Sequence, residues 1–117
     1  MKLISIIIPE GAVAASITDT VRLFETANEM LEKAGGTKAF KIQVVGFSKE
    51  IYIGSKNLYI RADKTLDEVT EPGLIIVPSI SGDVMKATQQ NRHYFPWLIK
   101  QYKNGSEIAT FCVGAFI

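Results

Sequence analysis

The stretch Glu107–Ile117, EIATFCVGAFI, decides how this chain is read. Ile108, Ala109, Thr110 and Phe111 make a β-rich run that leads into Cys112, and Val113, Gly114 and Ala115 then open a small-residue turn and a helix. A strand ending in a nucleophile-type side chain, followed by a tight turn into a helix, is the geometry of a nucleophile elbow. It pushes the cysteine out at the carboxyl edge of a sheet, above the free N–H groups of the new helix. Such a helix start lowers a thiol pKa, and the N–H of the following residue, here Val113, can hold an oxyanion. Gly114 permits the close backbone approach that a Cβ would crowd. Taken alone, C-x-G-A is a weak pattern, because a lone cysteine in an apolar strand is more often a small buried core residue. The run is too short for a membrane span, which needs ~20 apolar residues.

Working outward, Asn104 and Gly105 stop a helix expected over Arg92–Lys103, with Asn91 as its N-cap and Pro96 in the first turn or so. Phe95, Leu98, Ile99 and Tyr102 fall at helical spacing and read as its packed face, which also accounts for the neighbouring aromatics Tyr94 and Trp97 without a stacking role. His93, the single histidine, reads as a solvent-exposed polar residue. A short helix is expected over Asp83–Gln89, preceded by the polar loop SISGD (Ser79–Asp83). LIIVP (Leu74–Pro78) and LISIII (Leu3–Ile8) are continuous apolar runs of the parallel-sheet type, covered on both faces. Ile17, Val21, Phe24, Ala27, Leu31 and Ala34 mark one face of a helix over Ser16–Ala34, with Ser16 and Asp19 as a capping box and Gly35–Gly36 as the stop. FKIQVVGF (Phe40–Phe47) predicts a strand, and EIYIGSKNLYIR (Glu50–Arg61) a hairpin turning at 54–57, outside the main sheet. Thr65–Val69 predicts a helical turn, and Glu107–Cys112 a central strand. Strand and helix alternate, which predicts an α/β sandwich with a mainly parallel sheet.

At 117 residues the chain reads as one domain. Thirteen basic residues against 12 acidic ones, a formal charge of +1, leave no electrostatic footprint for nucleic acid or an anionic membrane. One cysteine excludes a disulfide framework and a multi-thiolate zinc site and suits a reducing, cytoplasmic compartment. The start, MKLISIIIPEG, lacks the cleavage site of a signal sequence.

The segment EIATFCVGAFI resembles the elbow region of the class I glutamine amidotransferase-like superfamily, which includes PfpI-type proteases and the parkinsonism-associated deglycase. It is most similar to the branch that forms the N-terminal domain of AraC-family transcriptional regulators, where a Cys-x-Gly-Ala-Phe elbow follows a helix ending near Asn-Gly. Ile8–Gly11 (IPEG), Val21–Asn28 (VRLFETAN) and Gly73–Asp83 (GLIIVPSISGD) resemble the family's first turn, first helix and Pro-Gly-Gly-type loop, in the same order.

The resemblance implies a flavodoxin-like sandwich in which residues 1–117 form a partial amidotransferase-like domain, incomplete at the C-terminus just after the elbow, with a DNA-binding helix-turn-helix domain downstream. It implies a ligand-sensing or dimerisation domain that is not catalytic, a homodimer, a small-molecule effector, DNA contact only through the downstream domain, and no membrane, metal or cofactor. Cys112 matches the nucleophile position, while the family's histidine lies further along than Ile117. The acid position of the enzymatic branch falls on Ser16, whose hydroxyl cannot supply the buried carboxylate that would share a proton with the cysteine. Glu10 is the nearby carboxylate that could stand in for it. In the loop, Ile80 narrows an oxyanion site, and Ser81 and Gly82 can still line a pocket. The expected ligand contacts are Glu10, Ser16, Ser79, Ser81, Gly82 and Cys112, with the Val113 N–H as candidate oxyanion donor. His93 falls where the family has no catalytic residue. The alternative is a cysteine-dependent amidase, hydrolase or deglycase-like enzyme of the same superfamily with Cys112 as nucleophile.

Overall fold

β1 (Lys2–Ile7) lies at the middle of the sheet, and its isoleucines explain why. Ile4 and Ile6 enter one apolar cluster and Ile7 the other, and all three are fully buried. Burying such a side chain contributes about 1.5–3 kcal/mol, so a strand with apolar residues on both faces belongs between two helical layers. The computed structural model describes residues 1–53 and 58–111. The expected hairpin turn at 54–57 and the expected elbow residues Cys112 and Val113 lie outside the described residues.

After β1 come α1 (Ala14–Lys33), β2 (Phe40–Gly46), β3 (Glu50–Tyr52), β4 (Tyr59–Arg61), β5 (Lys64–Thr65) and a 3₁₀ turn at Leu66–Glu68. β6 (Leu74–Val77), α2 (Val84–Gln90), α3 (Tyr94–Lys103) and β7 (Glu107–Thr110) complete the described order. The sheet runs β5-β2-β1-β6-β7, every pair parallel. β3 and β4 form a separate antiparallel hairpin, as expected, with Ile51 opposite Ile60. Ile51, Ile53 and Ala62 of the hairpin segment pack into the cluster that holds Ile4, Ile6, Ile8 and Ile17. The opposite cluster joins Ile7, Val45, Ile75 and Val77 to Tyr94, Trp97 and Leu98 of α3. Because β2 and β6 flank β1 on opposite sides, the chain reverses its direction of travel at β1, and a crevice opens at the carboxyl ends of these strands.

The structure corrects several details. α1 begins two residues early, at Ala14, and its N-cap, Val13, has no polar side chain to cap the helix. Ser16 therefore sits inside the first turn, and its hydroxyl accepts the Ser79 N–H at 2.9 Å instead of capping α1. α3 begins at Tyr94 with His93 as N-cap, and Asn91 instead turns back to bond the backbone of Glu10. The buried face of α3 is Tyr94, Trp97, Leu98 and Gln101, while Ile99 and Tyr102 are 56% and 68% exposed. The physical reason is polar: the Tyr94 hydroxyl donates to Ile8 O at 2.6 Å and the Trp97 indole to Leu66 O at 2.8 Å, which draws these rings inward. β7, expected to be central, pairs only with β6 among the described residues.

Candidate functional site

The carboxyl ends of β1 and β6 are joined by a short ladder of loop contacts. Gly11, at φ 79°, turns the chain through the left-handed region that favours glycine, and its carbonyl accepts the Ser81 N–H at 2.8 Å. The Ser81 hydroxyl donates to the same carbonyl at 3.2 Å. Ala12 and Ile80 form an isolated antiparallel bridge, and the Val13 N–H donates to Ser79 O at 2.9 Å. The Ser79 N–H to Ser16 Oγ bond closes the ladder. Two loops about 65 residues apart are thus held as one rim, and the first turn of α1 finds its partners in the β6–α2 loop.

Beside this rim lies a cleft of about 440 Å³ lined by Ser16, Asp19, Thr20, Leu23, Ser79 and Phe111. The Phe111 N–H donates to Val77 O at 3.0 Å, which extends the β6–β7 ladder to the residue before Cys112. Of the expected contacts, Ser16 and Ser79 share this cleft. Asp19, Thr20 and Leu23 were not anticipated as lining residues, although with Ser16 they fall at i, i+3, i+4 and i+7 on one helix face, a signal the sequence does carry. Thr20 is buried and spends its hydroxyl on Ser16 O at 2.7 Å, so the cleft's carboxylate is that of the exposed Asp19.

Glu10 lies elsewhere. It lines a second cleft of about 240 Å³ with Ile8, Phe47, Ser48, Glu50, Ile51, Tyr52, His93 and Tyr94. The two clefts have no lining residue in common, and neither is lined by Ser81 or Gly82. His93, expected in solvent, is half-buried, its ring 4.3 Å from that of Phe47 and 4.6 Å from that of Tyr94. Burial pushes the Tyr94 hydroxyl pKa well up; a backbone hydrogen bond from Phe47 opposes that shift and the Glu10 carboxylate adds to it. Asn91, with no exposed surface, accepts the Glu10 N–H at 2.7 Å and donates to Glu10 O at 3.0 Å and Ala87 O at 2.8 Å. Among the described residues no group of three histidine, cysteine, aspartate or glutamate side chains could hold a metal ion, and no helix is long and apolar enough to cross a membrane.

No protein-family model matches the sequence, and no curated protein matches it significantly. Solved structures do. The chain is similar to a candidate transcriptional regulator from Vibrio parahaemolyticus, at 22% identity and a TM-score of 0.77 over 98% of this chain and 58% of that one. An AraC-family transcriptional regulator from Pseudomonas putida aligns at 16% identity and a TM-score of 0.72, over 98% of this chain and 67% of the other. Oxidized DJ-1 from Toxoplasma gondii aligns at 16% identity and 0.58, over 97% and 57%. The chain thus spans under three-fifths of the length of the Vibrio protein. These likenesses establish the fold: a flavodoxin-like α/β sandwich, seen also in the Vibrio and Pseudomonas regulators and in the Toxoplasma DJ-1 structure.

Proposed function

We propose that this chain is the ligand-sensing or dimerising module of an AraC-type transcriptional regulator, that it is not catalytic, and that a helix-turn-helix domain elsewhere in the full-length protein binds DNA. The observation that carries the reading is the occupation of Ser16. The hydroxyl at the enzymatic branch's acid position is already committed to the Ser79 N–H, Glu10 lines a cleft with no residue in common with that of Ser16, and the cleft's own carboxylate, Asp19, is exposed and not buried. Position 16 therefore offers no carboxylate with which a nucleophilic thiol could share a proton. The likeness to two regulators supports the same reading. A near-neutral charge agrees with DNA contact through another domain. In this scheme an effector enters the cleft between Ser16, Ser79 and Phe111, and the module forms a homodimer in the cytoplasm.

The test is to map the DNA sites of the intact protein by footprinting at physiological salt, alongside amide and aldehyde-adduct turnover. Discrete protected sites with no turnover are expected. Cysteine-dependent turnover without sequence-specific protection would overturn the proposal in favour of the hydrolase or deglycase-like alternative.

A further inference from the structure

The cleft that holds Glu10 has a chemistry of its own, independent of the regulator reading. Its walls come from three separated segments: the end of β1 (Ile8, Glu10), the β2–β3 connection with β3 (Phe47 to Tyr52), and the start of α3 (His93, Tyr94). Hydrogen bonds pin these walls. Asn91 holds both backbone groups of Glu10, and the Tyr94 hydroxyl holds Ile8 O. The Ser48 hydroxyl donates to Glu50 O at 2.9 Å and fixes the third wall's turn. The void is therefore built into the backbone.

Its electrostatics point one way. The lining contains two carboxylates, Glu10 and Glu50, and neither lysine nor arginine. The ion pairs among the described residues are Lys2–Glu107 and Lys49–Glu68, so neither lining carboxylate is paired with a described cation. Four rings, of Phe47, Tyr52, His93 and Tyr94, line the same space, and Phe47 and Tyr52 are 61% and 64% exposed. Aromatic faces carry negative quadrupole potential, which adds to that of the carboxylates and favours a weakly hydrated cation over an anion. At about 240 Å³ the void falls just below the roughly 300–1,000 Å³ of drug-sized sites, so the ligand is small.

We infer that this cleft binds a small organic cation, with an alkylammonium or guanidinium group held between the carboxylates of Glu10 and Glu50 and against the rings of Phe47 and Tyr52. Charge selects the ligand's sign and the rings select an organic head group. Ile8 and Ile51 offer apolar contact to its carbon chain.

The test is a titration of the ¹⁵N-labelled intact protein with propylammonium and, separately, methylguanidinium, with propionate and propanol as the anionic and neutral counterparts. Saturable shifts are expected at the Phe47, Ser48, Glu50 and His93 amides with the cations and not with the counterparts. Glu10→Gln with Glu50→Gln should weaken binding about tenfold, and Tyr52→Leu should weaken it by roughly threefold or more. Both glutamates are exposed, so the double variant keeps its fold, which circular dichroism checks. The inference is overturned by the absence of saturable cation shifts, by equal shifts with propanol or propionate, or by unchanged cation affinity in the folded double variant.

Discussion

Asn91→Ala should cost this protein a large part of its stability, although no apolar core residue is touched. The side chain has no exposed surface and makes three hydrogen bonds, to Glu10 N, Glu10 O and Ala87 O. Ala87 O also accepts the Asn91 N–H at 3.0 Å, a bond the alanine variant keeps. Two groups are then orphaned, the N–H and the carbonyl of Glu10. A buried polar group left without its partner costs about 1–3 kcal/mol, and both groups here are part-buried, so about 2–4 kcal/mol is expected in total. Against a total stability of roughly 5–15 kcal/mol this is a severe loss. In urea, at a mid-range slope of about 2 kcal/mol/M, the midpoint should fall by about 1–2 M at constant slope. Trp97, the single tryptophan and largely buried in α3, provides the fluorescence readout. Hydrogen exchange at Glu10 should accelerate well beyond that of the β1 amides. A midpoint shift under about 0.3 M with Glu10 still protected would refute the claim that Asn91 ties the α2–α3 corner to the end of β1.

Other perturbations follow from the same structure. A Cβ at Gly73 would lie 2.3 Å from Leu3 O and 2.9 Å from Leu3 Cβ, so Gly73→Ala must push β1 from β6 and should destabilise by about 1–3 kcal/mol or more in the same urea assay. The Tyr94 hydroxyl pKa is raised in the folded state above its ordinary 10.0, so its stabilising contribution is complete below pH 10 and declines as the unfolded chain ionises above it. Tyr94→Phe should lose about 1–3 kcal/mol at pH 7, through the unpaired Ile8 carbonyl, and show a shallower alkaline decline in a pH series of melts. Glu68 titrates at about 2 instead of 4.5, held down first by the Thr65 backbone N–H, then by the Thr65 hydroxyl and Lys49. A depressed carboxylate stabilises above its unfolded pKa, so its contribution should fade as pH drops from about 4.5 toward 2, and Glu68→Gln should flatten that limb of the stability profile.

Apart from the two-residue β5, which carries no apolar run, the strands and α1 are legible in the sequence because burial on two faces, or on one helical stripe, leaves a periodic apolar record. LISIII and LIIVP predict β1 and β6 to within a residue, and the hairpin's placement outside the main sheet follows from its own short runs. The errors share a physical origin, the polar side chain whose partner is remote. Asn91 before a helix reads as a cap, yet its partner Glu10 is 81 residues away. Ser16 with Asp19 reads as a capping box, yet Ser79 claims the hydroxyl from the neighbouring loop. The buried face of α3 is missed for the same reason, since the polar tips of Tyr94 and Trp97 find carbonyl partners that local spacing cannot reveal. At the candidate site, Ser16 and Ser79 are reached through the resemblance to the amidotransferase-like family, whereas Asp19, Thr20 and Leu23 were available from helical periodicity. The cleft shared by Glu10, Tyr52 and His93 has no linear signature, because three segments build it and only the topology around β1 brings them together.

In a regulatory module of the proposed kind, Cys112 has no acid at position 16 to activate it. The most direct test is the rate of iodoacetamide alkylation of Cys112 in the intact, folded protein as a function of pH. A profile with a pKa at or above the ~8.5 of a free thiol is expected, little changed by Ser16→Ala or Glu10→Gln. A pKa below about 7 that rises toward the free-thiol value in either variant would contradict it and identify an activated nucleophile.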